Sequence, residues 1–117
     1  MGDELKWACQ NGDVDKVKEI LDKGAKVDGD VGMGRAPIHV AADYGQTEVL
    51  ELLVSRGANV NGRDKHGLTP LINAVFESHV AAVSFLLNKG ADKTVKAPSG
   101  DSLVDVAENS EIKAMLQ

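Results

Sequence analysis

Apolar positions along this chain follow a helical rhythm that restarts every thirty-three residues. Val49, Leu50, Leu52, Leu53 and Val54 are echoed by Ala82, Val83, Phe85, Leu86 and Leu87, each set spaced as the buried face of a short helix. Beyond each set stands a glycine-alanine pair, and Gly24, Gly57 and Gly90 keep the same period. Ala8, Ala41, Ala74 and Ala107 form a second periodic series. A fixed period of this length predicts a solenoid of helical units, each too small to bury its own apolar face and stable only when stacked on its neighbours. Such arrays bind through the surface that stacking leaves over.

The two central units read GRAPIHVAADYGQTEVLELLVSRGANVN from Gly34 and GLTPLINAVFESHVAAVSFLLNKGADKT from Gly67. Pro37 and Pro70 suit the first turn of a helix, where the missing N–H has no intrahelical partner to lose. These first helices are predicted to run to about Tyr44 and Glu77. Gly45 can take the left-handed conformation that ends one of them; Ser78, at the matching place, predicts a slightly different exit. Gly57 and Gly90 are expected to stop the second helices. In the first unit, Trp7 to Asn11 reads as the tail of an inner helix, Gly12 as the break, and Asp13 as the N-cap of an outer helix reaching Lys23. In the fourth, Gly100, Leu103 and Ala107 keep register, but Ile112, Met115 and Leu116 arrive four residues early, which predicts a clipped final pair. The expected fold class is therefore all-α: two full repeats flanked by two degenerate capping repeats, in one domain over residues 1–117. The units fall at about 1–33, 34–66, 67–99 and 100–117.

The chain has 117 residues and a formal charge of -5, a balance that argues against binding a nucleic-acid backbone. Eight acids against five bases fall in residues 1–33, and four against one in 100–117, so the acidic excess sits at the ends. The single cysteine, Cys9, has no internal disulfide partner, and no signal peptide or spanning segment is evident, which together predict a cytoplasmic or nuclear setting. Lys89, Lys93 and Lys96 read as a solvated face.

Catalytic and metal chemistry find little support. His39 and Asp43 lie four apart on one helix, but two ligands without a third in phase make a weak metal site, and neither His66 nor His79 completes it. Cys9 falls in phase with Ala42 and Val75 and reads as a small buried hydrophobe rather than a nucleophile, which would need a base and an open, electropositive setting. The glycine-rich segment from Gly29 to Arg35 matches neither a phosphate loop nor a dinucleotide fingerprint. It is expected to form a long, mobile hairpin finger between units. No enzyme activity, metal or cofactor is predicted.

Ala36-Pro37-Ile38-His39 and Thr69-Pro70-Leu71-Ile72, with the exits Leu53-Val54-Ser55-Arg56-Gly57-Ala58-Asn59 and Leu86-Leu87-Asn88-Lys89-Gly90-Ala91-Asp92, resemble the ankyrin repeat. The irregular features narrow the resemblance. The entrance-less unit around Trp7, the string Gly34-Arg35 before Pro37, Asp64-Lys65-His66, and the run from Lys89 to Lys96 before a clipped helix ending Leu116-Gln117 are together similar to the myotrophin-type family. That resemblance implies a monomer that binds the heterodimeric actin capping protein one to one and occludes its basic actin-binding surface, with no nucleic acid, membrane or cofactor involved. The alternative is an ankyrin scaffold with a different partner, or a cyclin-dependent kinase inhibitor, another role of four-repeat ankyrin proteins.

In an ankyrin array the variable inner-helix positions face the concave side. Here they form three rows: Trp7, Val40, Asn73 and Val106; Gln10, Asp43 and Phe76; Asn11, Tyr44 and Glu77. Three of the four aromatics fall in these rows, while Phe85 belongs to an outer helix. Trp7 can be read equally as a cover for the open end of the core. Tyr44 and Phe76 have no such structural duty and are expected to anchor a partner, with Asp43 and Glu77 favouring Lys or Arg on its surface. The finger tips add Met33, Arg35, Asp64, Lys65 and His66. The expected contact set is therefore Trp7, Met33, Arg35, Val40, Asp43, Tyr44, Asp64, His66, Phe76 and Glu77.

Overall fold

A computed structural model describes residues 2–117, which contain eight helices and one isolated antiparallel bridge, between Lys96 and Ser102. In chain order these are α1 (Gly2–Asn11), α2 (Val14–Asp22), α3 (Pro37–Asp43), α4 (Thr47–Ser55), α5 (Pro70–Phe76), α6 (Val80–Asn88), α7 (Leu103–Val106) and α8 (Ser110–Leu116). Consecutive helices pair into four units. The inner helices α1, α3, α5 and α7 stack in one row and the outer helices α2, α4, α6 and α8 in a second, over extents of 40 × 24 × 21 Å. The two rows clasp a continuous apolar core in which Val17, Leu50, Leu53, Ile72, Val83 and Ile112 are fully buried. The two complete repeats and their degenerate flanks thus take the expected arrangement, with the fourth unit reduced to helices of four and seven residues.

The helix entrances follow from the residues at them. Pro37 and Pro70 both occupy the first turn. In the third unit Thr69 Oγ1 accepts the Ile72 N–H at 3.2 Å, a conventional side-chain cap. Ala36 has no oxygen to offer at the same place. There His39 Nδ1 instead accepts the Ala36 N–H at 3.2 Å, and its Nε2, which must then carry the proton, donates to Gly62 O at 2.8 Å in the next finger. One histidine thereby completes a helix start and joins two units.

The helix exits differ from expectation at one residue. Gly45 ends α3 at φ 66°, as its sequence position predicts, yet Ser78 ends α5 in the same left-handed region at φ 55°. The hydrogen bonds match as well: Gly45 N–H and Gln46 N–H donate to Ala42 O and Ala41 O, while Ser78 N–H and His79 N–H donate to Val75 O and Ala74 O. Stacking imposes one exit on both units, and the serine accepts the strain. A left-handed non-glycine residue carries roughly 1–2 kcal/mol of strain, part of which glycine would return through its freer unfolded chain. Ser78→Gly is therefore expected to stabilise the protein by about 0.5–1 kcal/mol. A urea midpoint that failed to rise would show the serine to be unstrained.

The stack is also stapled by polar groups reaching from one unit to the next. Gln46 Nε2 donates to Gln10 O and His79 Nε2 to Asp43 O, both at 2.8 Å. At the outer ends of the units, both Asp28 carboxylate oxygens accept the Asn59 N–H at 3.2 Å, and Arg56 pairs with Asp22 at 2.7 Å. Asn61 repeats the role of Asp28 one unit on, accepting the Asp92 N–H at 2.8 Å.

Candidate functional site

Two fingers and two inner helices build the candidate site. The first finger closes through Val31 N–H to Arg35 O at 2.9 Å and Arg35 N–H to Gly32 O at 3.2 Å, and is rooted by the buried Val31. Its tip lifts Met33 to 73% exposure. The second finger closes through Asp64 N–H to Leu68 O at 2.9 Å. Lys65 N–H donates to Gly34 O at 3.0 Å and zips the two fingers together, at a point where Gly34 leaves no room for a side chain against Lys65. At the next joint the matching residue is Pro98, which has no N–H to give, and Gly67 O instead accepts from Arg63 Nη1 at 2.8 Å.

Between the zipped fingers and the exposed edge of α3 and α5 lies a cleft. Met33, Leu68 and Phe76 give it apolar walls; Asp43, Glu77 and His66 bring polar groups to it. Arg35 crosses the cleft with a mostly covered side chain. Its Nη2 donates to His39 O at 3.2 Å, while Nη1 stands 3.6 Å from Asp43 Oδ2 and Nε 3.8 Å from Asp64 Oδ2. Arg35 is thus held among two carboxylates without a close hydrogen bond to either. Of the carboxylates at the cleft only Glu77 is exposed and unmatched by a salt bridge among the described residues.

Seven of the expected contact residues meet at this cleft: Met33, Arg35, Asp43, Asp64, His66, Phe76 and Glu77. Tyr44 stands just outside it, at the end of α3, 48% exposed; Phe76 is 43% exposed. Two expected contacts are corrected. Val40 is buried at 1% exposure and is part of the core. Its row is closed in the two central units, since Asn73 is buried too; Val106 in the fourth is half-buried, and Trp7 in the first is 55% exposed. Asp64 is the second correction. Its Oδ1 accepts the His66 N–H at 2.8 Å and the Leu68 N–H at 2.9 Å, a turn that draws the carboxylate inward, where Oδ2 has no hydrogen-bond donor among the described residues and faces Arg35 Nε at 3.8 Å. Asp64 therefore shapes the second finger instead of touching a partner.

Trp7 does not join the cleft. It lies beside Asp3, Glu4 and Lys16 at the open end of the stack, with Lys16 3.9 Å from Glu4. Glu4 and Lys16 stand where the second unit has the buried Pro37 and Val49, so the first unit presents polar groups around one exposed indole. Two cleft residues escaped the expected set: Leu68, and Asn73, whose buried Nδ2 has no hydrogen-bond acceptor among the described residues. A lone amide inside the apolar run Pro70-Leu71-Ile72-Asn73-Ala74-Val75 is the signal that could have drawn attention to it.

The groups considered for chemistry are engaged structurally. Both ring nitrogens of His39 are occupied by the bonds described above. Cys9 is fully buried, and burial pushes its thiol from the ordinary 9.0 up to about 12. The thiolate is the reactive species, so Cys9 is expected to resist alkylation in the native state and to react once urea unfolds the chain. Rapid labelling without denaturant would contradict its placement. The raised value also means that stability is retained below pH 9.0 and declines as pH rises toward about 12, because only the unfolded chain ionises readily there. Phe85 is half-buried on α6, with Lys89 Nζ 5.8 Å above its ring; Lys93 and Lys96 are exposed.

Comparison with known proteins agrees with this architecture. Residues 5–97 match a family model of ankyrin repeats in three copies. The chain is 52% identical over 117 residues to a myotrophin of Xenopus tropicalis, covering 99% of each chain. It is 51% identical over 114 residues to the myotrophins of Rattus norvegicus and Homo sapiens, covering 97% of each.

Proposed function

The chain belongs to the myotrophin family of ankyrin-repeat proteins, and from that premise we propose that it binds the heterodimeric actin capping protein and sterically inhibits it. At the coarser level it is a protein-binding repeat module, and among its described residues no helix is long and apolar enough to cross a membrane. The finer reading rests on one observation: two large aromatics, Tyr44 and Phe76, stand exposed beside the carboxylates of Asp43 and Glu77 on the face carried by the inner helices.

That combination suits a basic protein surface. Each ring can bury about 150–250 Å² with few rotors to freeze, which supplies affinity. The carboxylates steer a cationic partner and orient it. The zipped fingers hold Met33 and His66 at the same cleft as the Phe76 ring, so these recognising groups are positioned before binding, which spares ordering entropy. Arg35 anchors the cleft while leaving Asp43 only loosely matched, and a partner Lys or Arg can share that carboxylate. Inhibition then follows by occlusion, because a basic surface covered by this face is closed to the actin barbed end.

The test is a barbed-end elongation assay with capping protein present. Elongation should recover in proportion to added protein and saturate at a one-to-one ratio. No recovery at saturating protein would overturn the assignment and leave a repeat module with a different partner.

A further inference from the structure

Two asparagines of this chain precede glycine, Asn11–Gly12 and Asn61–Gly62, and the fold holds them very differently. In such a pair the glycine nitrogen can attack the asparagine side-chain carbonyl carbon. A C–N bond closes a succinimide ring and the side-chain nitrogen leaves as ammonia. Water then opens the ring at either carbonyl, giving aspartate or isoaspartate and one new carboxylate. Glycine permits the attack because no side chain crowds the ring. A folded chain governs the reaction by how firmly it holds the two reacting groups.

At Asn61 both groups are held. The side-chain Nδ2 donates to Gly90 O at 3.1 Å and Oδ1 accepts the Asp92 N–H at 2.8 Å, so the amide is clamped against the next unit. The attacking nitrogen of Gly62 donates to Asn59 O at 3.1 Å, and Gly62 O is gripped by His39 at 2.8 Å. At Asn11 the side chain is exposed and makes one local bond, Nδ2 to Trp7 O at 2.8 Å, within the last turn of α1. Helix ends fray, and this bond opens with them.

We infer that Asn11 is a site of spontaneous covalent modification in the folded protein, converting to aspartate and isoaspartate, and that Asn61 is protected by its clamp to the next unit. The product changes the protein where it matters. A carboxylate is placed at the C-terminal end of α1, where the helix dipole disfavours negative charge and the last turn carries no basic residue. An isoaspartate also lengthens the backbone next to Gln10, whose carbonyl receives the Gln46 staple between the first two units. Asn11 shares its row with Tyr44 and Glu77, so on the function proposed above the modification also alters the charge of the binding face.

The experiment is incubation of the intact protein, native and in urea, in mildly alkaline buffer, followed by peptide mapping and enzymatic methylation of isoaspartate. In the native protein Asn11 should convert about tenfold faster than Asn61, because opening the clamp requires a rarer local fluctuation. In urea the two rates should converge. Asn11→Gln should remove the native signal and leave the reaction in urea at Asn61. Conversion at Asn61 equal to or faster than at Asn11 in the native protein would overturn the inference. So would an unmodified Asn11 after the urea sample has reacted. Neither readout depends on capping protein.

Discussion

Replacing Gly45 with alanine is expected to destabilise the protein by about 2–5 kcal/mol, well beyond the effect of the same change at Gly57. Both glycines follow a helix in a left-handed conformation, at φ 66° and 90°, so each substitution incurs roughly 1–2 kcal/mol of backbone strain. Only at Gly45 does the new methyl group meet another unit. A Cβ there would lie 2.6 Å from His79 Nδ1 and 2.7 Å from Cγ, whereas at Gly57 it would find nothing within 4 Å. The ring must move, and its 2.8 Å bond to Asp43 O is lost with it. Leaving that half-buried donor unpaired adds about 1–3 kcal/mol. Urea unfolding of the two variants checks the difference. Removing the ring in addition, with His79→Ala, should recover part of the loss at residue 45 and none at residue 57, as coupled and uncoupled pairs behave. Equal losses at the two glycines would mean that the ring does not act as a staple.

The second large effect is on binding. Tyr44→Ala combined with Phe76→Ala is expected to weaken capping-protein affinity at least about a hundredfold, since interface aromatics of this kind commonly contribute about 2 kcal/mol or more each and about 1.4 kcal/mol is a factor of ten. Both side chains are roughly half exposed, so the doubly substituted protein should unfold within about 0.5 kcal/mol per site of the parent. The discriminating pair of measurements is therefore affinity and stability on the same sample. Retained affinity with retained stability would remove the two rings from the site. Val40→Ala gives the opposite pattern: a buried methyl pair is deleted, stability falls, and the concave surface chemistry stays as it was.

The residues that repeat every thirty-three positions were the legible part of this molecule. Ala8, Ala41, Ala74 and Ala107 are all buried, the glycines end helices, and Asp13 caps α2 by accepting the Lys16 N–H at 3.1 Å, all as their positions imply. Asp43, Phe76 and Glu77 gather at one cleft because rows on stacked helices stay aligned, and the first finger brings Met33 to them. What pattern alone could not resolve was the tilt of each row against its neighbour. Val40 sits one helical turn from Asp43 and Tyr44, and the preceding unit closes over it alone. Asp64 is misread for a different reason. Asp64-Lys65-His66 has the composition of a charged tip, but an aspartate also mimics a backbone acceptor, and two N–H groups within four residues capture it. Ser78 is the third case: its own preference loses to the geometry that α5 and α6 must share with the other units.

The proline at the third finger has a mechanical consequence. Where Lys65 fastens the first two fingers through the main chain, Pro98 interrupts the seam, and among the described residues a long arginine side chain bonds Gly67 O on the near side. The first two fingers therefore behave as one plate and the last as a loose hem. Unravelling that begins at the short helices α7 and α8 meets a natural stop before it reaches the cleft. The solenoid can wear at its far edge and still keep its grip.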